Sequence, residues 1–276
     1  LYEELSERYG SLDPIDPLIY TPIEVGDKLT RRLKEYSEEG LRVMFDSGGY
    51  SVQTSGGDFE ELYNRLMPFY EENRWGYRYV LPDNVPVSGD DQETVDRKVE
   101  ETRTNARLSY YFLPDELKSK AVPVIQGNKY EHITDCIETY ARLNRVQMIG
   151  FGSFETFGAN NGVNIISQDV AETLRYAVNL AHNHDFELHA LGVGGPTAIP
   201  ILAELGVDSF DCSSWIRAGG YGDIYFPFRT PKHASHKTDR DGPKLFENEL
   251  STVKRKTGHH CPFCETHEQL RNSRFD

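Results

Sequence analysis

The chain has 276 residues, and its 44 Asp and Glu outnumber 30 Lys and Arg, for a formal net charge of −14 at pH 7. That balance argues against a polybasic nucleic-acid coat, and no stretch approaches the roughly 20 consecutive apolar residues of a membrane-spanning helix. The length suits one large domain or two small ones with a substantial core. The chain opens on Leu1, and LYEELSERYG lacks the charged-then-apolar layout of a signal peptide, so a soluble, cytoplasmic protein or a fragment of one is expected. Of four cysteines, Cys136 and Cys212 are isolated, whereas Cys261 and Cys264 form a C-x-x-C. That usage is too sparse for a disulfide framework and suits a metal site in a reducing compartment. Arg outnumbers Lys, which with the acidic excess fits a salt-adapted surface or simply an acidic soluble one.

In chain order, apolar runs alternate with amphipathic segments. Strands are predicted over 17–22 (PLIYTP), 41–46 (LRVMFD), 77–83 (YRYVLPD), 121–126 (AVPVIQ), 146–152 (VQMIGFG), 186–193 (FELHALGV) and 207–212 (VDSFDC), with an eighth near DIYFPF. Between them VGDKLTRRLKEYSEE, FEELYNRLMPFYEENR, DDQETVDRKVEETRTNARL, YEHITDCIETYARL and SQDVAETLRYAVNLAHNH carry apolar residues near a 3.6 period. The last of these helices is entered at Ser167, with Asp169 adding negative charge to its first turn. This βαβα alternation predicts an α/β fold, a (β/α)8 TIM barrel over 1–228, followed by a basic loop and a zinc-binding appendage over 229–276. Asp46, Asp83, Gln126, Gly152 with Ser153, Gly192 to Gly195 and Asp211 stand at successive carboxyl ends, which in a barrel converge on the face that carries active sites.

After Cys212 the composition shifts. Residues 217–260 hold nine Arg or Lys against five acids, a local balance of +4 that leaves −18 on the rest. Phosphate contact needs only such a local surface, and Arg217, Arg229, Lys232, Lys254, Arg255 and Lys256 are the candidates for it. His233 and His236 lie in the same stretch, either near phosphate or on a solvated face.

Asp46, in FDSGGYSVQ, and Asp211, in VDSFDCSSW, form the chemically suggestive pair. Two carboxylates at a barrel mouth suit substitution at a sugar carbon, one as nucleophile and one moving a proton. The competing reading is that each caps the helix after its strand. GVGGP could hold a phosphate at a helix start, which keeps open an enzyme of small sugar phosphates, but the chain has no G-x-x-x-x-G-K-[ST] loop. Tight strand-to-helix turns account for most of these glycines. Cys212 has no histidine near it in sequence to activate it, and His182, His184 and His189 read as a helix end running into a strand.

FDSGGYSVQ, VPVIQGNKYEHI, HALGVGGPTAIPILAELGVDSFDCSSWIRAGGYGDIYF and HHCPFC resemble, in the right order, the signature blocks of the tRNA-guanine transglycosylase family over roughly residues 40–265. The resemblance implies exchange of guanine in a nucleic acid for a 7-deazaguanine through a covalent aspartyl intermediate. It places the nucleophile on Asp211 and the general acid/base on Asp46, followed by Ser47 in the same block, with Tyr50 stacking on the purine. Gln126 and Asp83 would read the base, and Gly152, Leu191 and Gly192 would line the pocket, although IGFGSFETFG departs from the usual G-G-L-x-x-G-E. The family's structural zinc set, C-x-C-x-x-C with a distant histidine, carries over as His259, Cys261 and Cys264, with histidine replacing the first cysteine; the fourth ligand is expected to be His267 or a residue beyond Asp276, and His260 is an alternative to His259. The resemblance leaves two alternative substrates, tRNA, the commoner one, or the DNA of the family's DNA-modifying branch. The short chain and the histidine substitution lean toward DNA. Relatives dimerise, so a homodimer is carried over, as is an inactive nucleic-acid-binding relative as the competing class.

Overall fold

The computed structural model describes residues 17–24, 26–153, 168–226, 229–235, 242–260 and 264–272. The chain divides into two compact units, Leu1–Leu191 with Leu202–Asp211, and Gly192–Ile201 with Cys212–Asp276. Among the described residues no helix is long and apolar enough to cross a membrane.

The first unit is built on parallel strands in sequential order. They are β1 (Leu18–Tyr20), β2 (Val43–Phe45), β3 (Arg78–Val80) and β4 (Ala121–Val122), then β5 (Val124–Ile125), β6 (Met148–Phe151), β7 (Glu187–Ala190) and β8 (Ser209–Phe210). Pro123 alone separates β4 from β5, because it has no N–H for the ladder; its carbonyl still accepts from Gly150 N at 2.9 Å. All seven sequence-predicted parallel strands are therefore present, in an α/β arrangement. Among the described residues the ladders form two four-stranded parallel sheets, β1 to β4 and β5 to β8, which follow one another through Pro123, and none joins β8 back to β1.

The intervening helices are α1 (Asp27–Glu38), α2 (Gly49–Ser55), α3 (Phe59–Glu72), α4 (Gln92–Phe112), α5 (Tyr130–Tyr140), α6 (Gln168–Asn183) and α7 (Ala198–Glu204). Their starts follow from local chemistry. Asp58 accepts from Glu60 N and Asp91 from Thr94 N, both at 2.8 Å, capping α3 and α4. Along α4 the buried positions Val95, Val99, Thr102, Ala106 and Ser109 recur every three or four residues and form the stripe that packs inward. Ser167, expected to start α6, lies outside the described residues.

Strand register carries one face across the sheet: Ile19 pairs with Met44, Val80 with Val122, Val124 with Gly150, Gly150 with His189, and His189 with Ser209. Met44, Val80, Val122, Val124 and Met148 form one apolar cluster on it, joined by Ile19 and Leu191. The opposite side holds Phe45, ringed by Tyr20, Phe69, Tyr70, Trp75 and Tyr79.

In the second unit are α8 (Ser214–Gly220), β9 (Asp223–Phe226), β10 (Arg229–His233), α9 (Glu247–Thr257) and α10 (His267–Asn272). The run DIYF does form a strand, but not an eighth parallel one. It pairs antiparallel with β10, and the two residues between the strands are enough only for a hairpin return, since a parallel crossover needs a dozen or more. Phe226, Ala234, Leu245, Leu250, Cys264 and Leu270 make this unit's own core.

Candidate active site

Because all strands of the first unit are parallel, their carboxyl ends share one edge. Continuing the two-residue alternation by one step places Asp46, Gln126, Gly152, Leu191 and Asp211 on the face of the apolar cluster, directly beyond Met44, Val124, Gly150, His189 and Ser209. The candidate residues thus share one face of the strands with the apolar cluster.

At the centre is a buried hydrogen-bonded chain. Ser47 Oγ donates to Asp83 Oδ1 and Gln126 Nε2 donates to Asp83 Oδ2, each at 2.6 Å. Gln126 Oε1 accepts from Ser153 Oγ at 2.7 Å, and Ser153 Oγ in turn accepts from Gly127 N. Ser47, Asp83, Gln126 and Ser153 are all buried. Burial raises Asp83 above the usual carboxylate range, and the bonds from Ser47 and Gln126 pull it back. Each Asp83 oxygen has one protein donor among these contacts and retains a second lone pair for a ligand donor.

Two glycines are required by close approach. A Cβ on Gly49 would lie 2.4 Å from the Asp83 carbonyl oxygen, and one on Gly152 would lie 2.6 Å from Gln126 Nε2. Neither position tolerates a side chain while the chain of hydrogen bonds stays in place.

Asp46 lies beside this group. Its Oδ2 accepts from Thr21 Oγ1 at 2.9 Å and from Gly48 N at 3.3 Å. Burial pushes its carboxyl up to about 6; the negative charges of Asp83 and Asp211 add to the rise, and the Thr21 and Gly48 hydrogen bonds oppose it. The Gly48 contact is a short local turn bond, so the capping alternative is present in part, but the raised proton affinity makes this carboxyl fit to exchange a proton near neutrality.

Asp211 follows β8, and its Oδ1 lies 3.2 Å from His189 Nε2; His189 Nδ1 lies 2.8 Å from Ser209 Oγ. His189, Thr21 and Ser209 are the site residues that sequence reasoning did not select, whereas Ser153 stood among the strand-end residues. The available signal was alternation, since His189 and Leu191, like Ser209 and Asp211, are spaced by two.

Tyr50, at the start of α2, is 47 % exposed. Gly192 opens the second unit with φ 69°. In that unit Arg217, Arg255 and Lys256 are exposed, whereas Lys232 pairs with Glu249, and Lys254 Nζ donates to the carbonyls of Cys264 and Glu265 at 2.8 and 3.1 Å. Those last two lysines already hold the unit together. The side chain of Arg229 lies outside what is described. His233 is buried against Asp223 at 3.0 Å, not on a solvated face; His236 is outside the described residues.

Cys261 is also outside the described residues, and among those that are described no three His, Cys, Asp or Glu side chains gather around a metal position. Two of the expected ligands nevertheless suit zinc. Cys264 is buried, and His267, three residues on, has Nε2 3.0 Å from the Leu245 carbonyl, leaving Nδ1 for a metal. A carbonyl on the second ring nitrogen is how metal-bound histidines are usually oriented. His259 is exposed.

Comparison with known proteins identifies the chain's family. The tRNA-guanine(15) transglycosylase of Aeropyrum pernix is 26 % identical to the chain over 193 residues, which is 68 % of this chain and 36 % of that protein. The chain thus spans about a third of the length of that relative. Residues 79–272 match the family described as Queuine tRNA-ribosyltransferase, a span that takes in Asp83, Gln126, Gly152, His189, Asp211 and Cys264, and the chain belongs to that family.

Proposed function

We propose that the protein is a base-exchange glycosyltransferase that removes guanine from a nucleic acid and installs a 7-deazaguanine on the same sugar carbon. The observation that carries this reading is the buried chain Ser47, Asp83, Gln126 and Ser153 with Asp46 and Asp211 on the same sheet edge. A guanine presents N1–H and its 2-amino group side by side, a donor pair that matches a carboxylate held by two other donors, as Asp83 is. Gln126 fixes that carboxylate, and the exposed ring of Tyr50 supplies a stacking face for a base extruded from its nucleic acid.

In the first step Asp211 attacks the anomeric carbon. The bond from sugar carbon to base nitrogen breaks, its electron pair leaves with guanine, and protonated Asp46 supplies the proton that makes the departing base neutral. An ester joins Asp211 to the sugar. In the second step the incoming 7-deazaguanine gives its ring proton to the Asp46 carboxylate and attacks the same carbon, and Asp211 leaves. The proton account closes over the two steps, which requires a group that both gives and takes a proton near neutral pH; a carboxyl at about 6 meets that requirement.

Two structural readings accompany this one. Seven parallel strands in sequential order, with one apolar cluster drawing on β1 through the residue after β7, support closure of the sheet into a barrel. Cys264 and His267, with Cys261 and His259, would hold a structural zinc that stabilises the fold of the second unit.

The polymer is decided by experiment. The Aeropyrum relative acts, by its name, on tRNA, whereas the histidine in place of the first zinc cysteine leaned toward DNA. Labelled 7-deazaguanine is offered with tRNA and with duplex DNA, and the covalent complex is trapped and digested. Label in one polymer and a sugar adduct on Asp211 are expected; label in neither polymer, or wild-type exchange by Asp211→Asn, overturns the proposal.

A further inference from the structure

His189 is buried on β7 directly opposite Ser209 of β8, and its two ring nitrogens have different partners. Nδ1 is 2.8 Å from Ser209 Oγ and Nε2 is 3.2 Å from Asp211 Oδ1. An ionised carboxylate can only accept, so a proton must sit on Nε2; in the neutral ring Nδ1 then carries a lone pair, and the Ser209 hydroxyl donates to it. We infer that His189 is a positioning residue for Asp211: Ser209 fixes its Nε2–H tautomer, and that N–H anchors Oδ1 so that the carboxylate meets the sugar carbon with Oδ2. The inference rests on the exchange reading above, in which Asp211 is the nucleophile.

The arrangement suits both states of the proposed cycle. When Oδ2 bonds to the anomeric carbon and the bond to the base breaks, Oδ1 becomes the ester carbonyl oxygen, which still accepts from Nε2–H. No proton leaves His189 in either step, since the leaving and entering bases exchange theirs with Asp46. His189 thus holds one geometry throughout instead of shuttling a proton. A side chain that merely filled space between β7 and β8 would need neither ring nitrogen.

The test is a set of three variants assayed with labelled 7-deazaguanine on whichever polymer the wild type accepts. His189→Phe keeps the ring volume and loses the donor; kcat is expected to fall by about 100-fold, the cost of a small misplacement of a reacting group, with KM for the base nearly unchanged. His189→Gln restores an N–H of similar reach and should recover most of that loss. Ser209→Ala frees the tautomer and should lower kcat with a mixed tautomer population, read by imidazole nitrogen NMR, in place of the single Nε2–H form of the wild type. Wild-type kcat in His189→Phe, a parallel loss of kcat, KM and thermal stability that Gln does not rescue, or an Nδ1–H tautomer in the wild type would each overturn the inference. A wild type that labels neither polymer refutes the exchange reading instead, and the tautomer spectrum still decides the contact among Ser209, His189 and Asp211.

Discussion

Replacing Asp46 by Asn should stabilise the first unit while abolishing exchange, and the gain should grow with pH. Both hydrogen bonds to the carboxyl, from Thr21 Oγ1 and Gly48 N, end on Oδ2, so an Asn carbonyl oxygen can accept them unchanged. What the substitution removes is a charge that burial disfavours. A carboxyl raised from 3.8 to about 6 is easier to keep protonated when folded than when unfolded. Its contribution therefore favours folding below pH 4 and is lost as pH rises through 6. The linkage relation puts the penalty on the wild type at about 0.6 kcal/mol at pH 4 and about 3 kcal/mol at pH 8. Partial exposure of Asp46 to water lowers the upper figure, to between about 1 and 3 kcal/mol. Trp75 reports on this region, since its ring lies 4.9 Å from that of Phe45 in β2. Urea unfolding followed by Trp75 fluorescence, in a Trp215→Phe background, should show Asp46→Asn unfolding later by about 0.5 to 1.5 M at pH 8, with m near 2 kcal/mol/M, and by little at pH 4. A gap between variant and wild type that is equal at the two pH values, or larger at pH 4, would refute the assignment of the raised carboxyl to Asp46.

Other perturbations follow from the same contacts. Thr21→Val keeps the shape and removes a donor that favours the ionised form of Asp46, so the inflection of kcat/KM expected near pH 6 should move upward; an unmoved inflection would assign that limb to another group. Gly152→Ala drives a Cβ to within 2.6 Å of Gln126 Nε2, and KM for the incoming base should rise about tenfold or more while the fold is retained by circular dichroism. Lys98→Met should destabilise by about 3 kcal/mol, because Lys98 bonds both Asp90, in a pair 7 % and 14 % exposed, and the carbonyl of Val85 just past Asp83; a loss under 1 kcal/mol would show that pair to be dispensable. Elemental analysis should find one zinc per chain, lost in Cys264→Ser, and chelation should lower the Trp215 unfolding transition while leaving that of Trp75; metal-free protein of unchanged stability would remove zinc from the second unit.

The strand order was legible because apolar runs ending in Asp46, Asp83, Gln126 and Asp211 each precede an amphipathic helix, and consecutive βα units lie side by side. The run DIYF looked like one more such unit because hydrophobicity does not encode direction. Only the two residues separating it from the next strand mark it as half of a hairpin. The charge of the 217–260 segment was similarly legible in sum and not in detail: Lys232 and Lys254 count toward a basic surface in sequence, yet each is engaged by its own unit, one by a carboxylate and the other by two carbonyls.

The candidate site divides along the same line. Residues that terminate strands are visible in sequence because a polar residue there interrupts an apolar run, and parallel pairing brings such interruptions to one edge. His189 interrupts nothing: it sits inside a strand, where a histidine reads as half-buried filler. Its meaning depends on register, since a shift of one residue against β8 would turn it to the opposite face from Ser209 and away from Asp211. The facing is in turn constrained by the apolar cluster of Met44, Val80, Val122, Val124 and Met148, whose side chains would leave their shared face on any one-residue slip. The packing beneath the site therefore determines whether His189 meets Asp211. A cavity-forming change such as Met148→Ala, remote from the proposed chemistry, should accordingly lower kcat through Asp211 before it alters KM for the base.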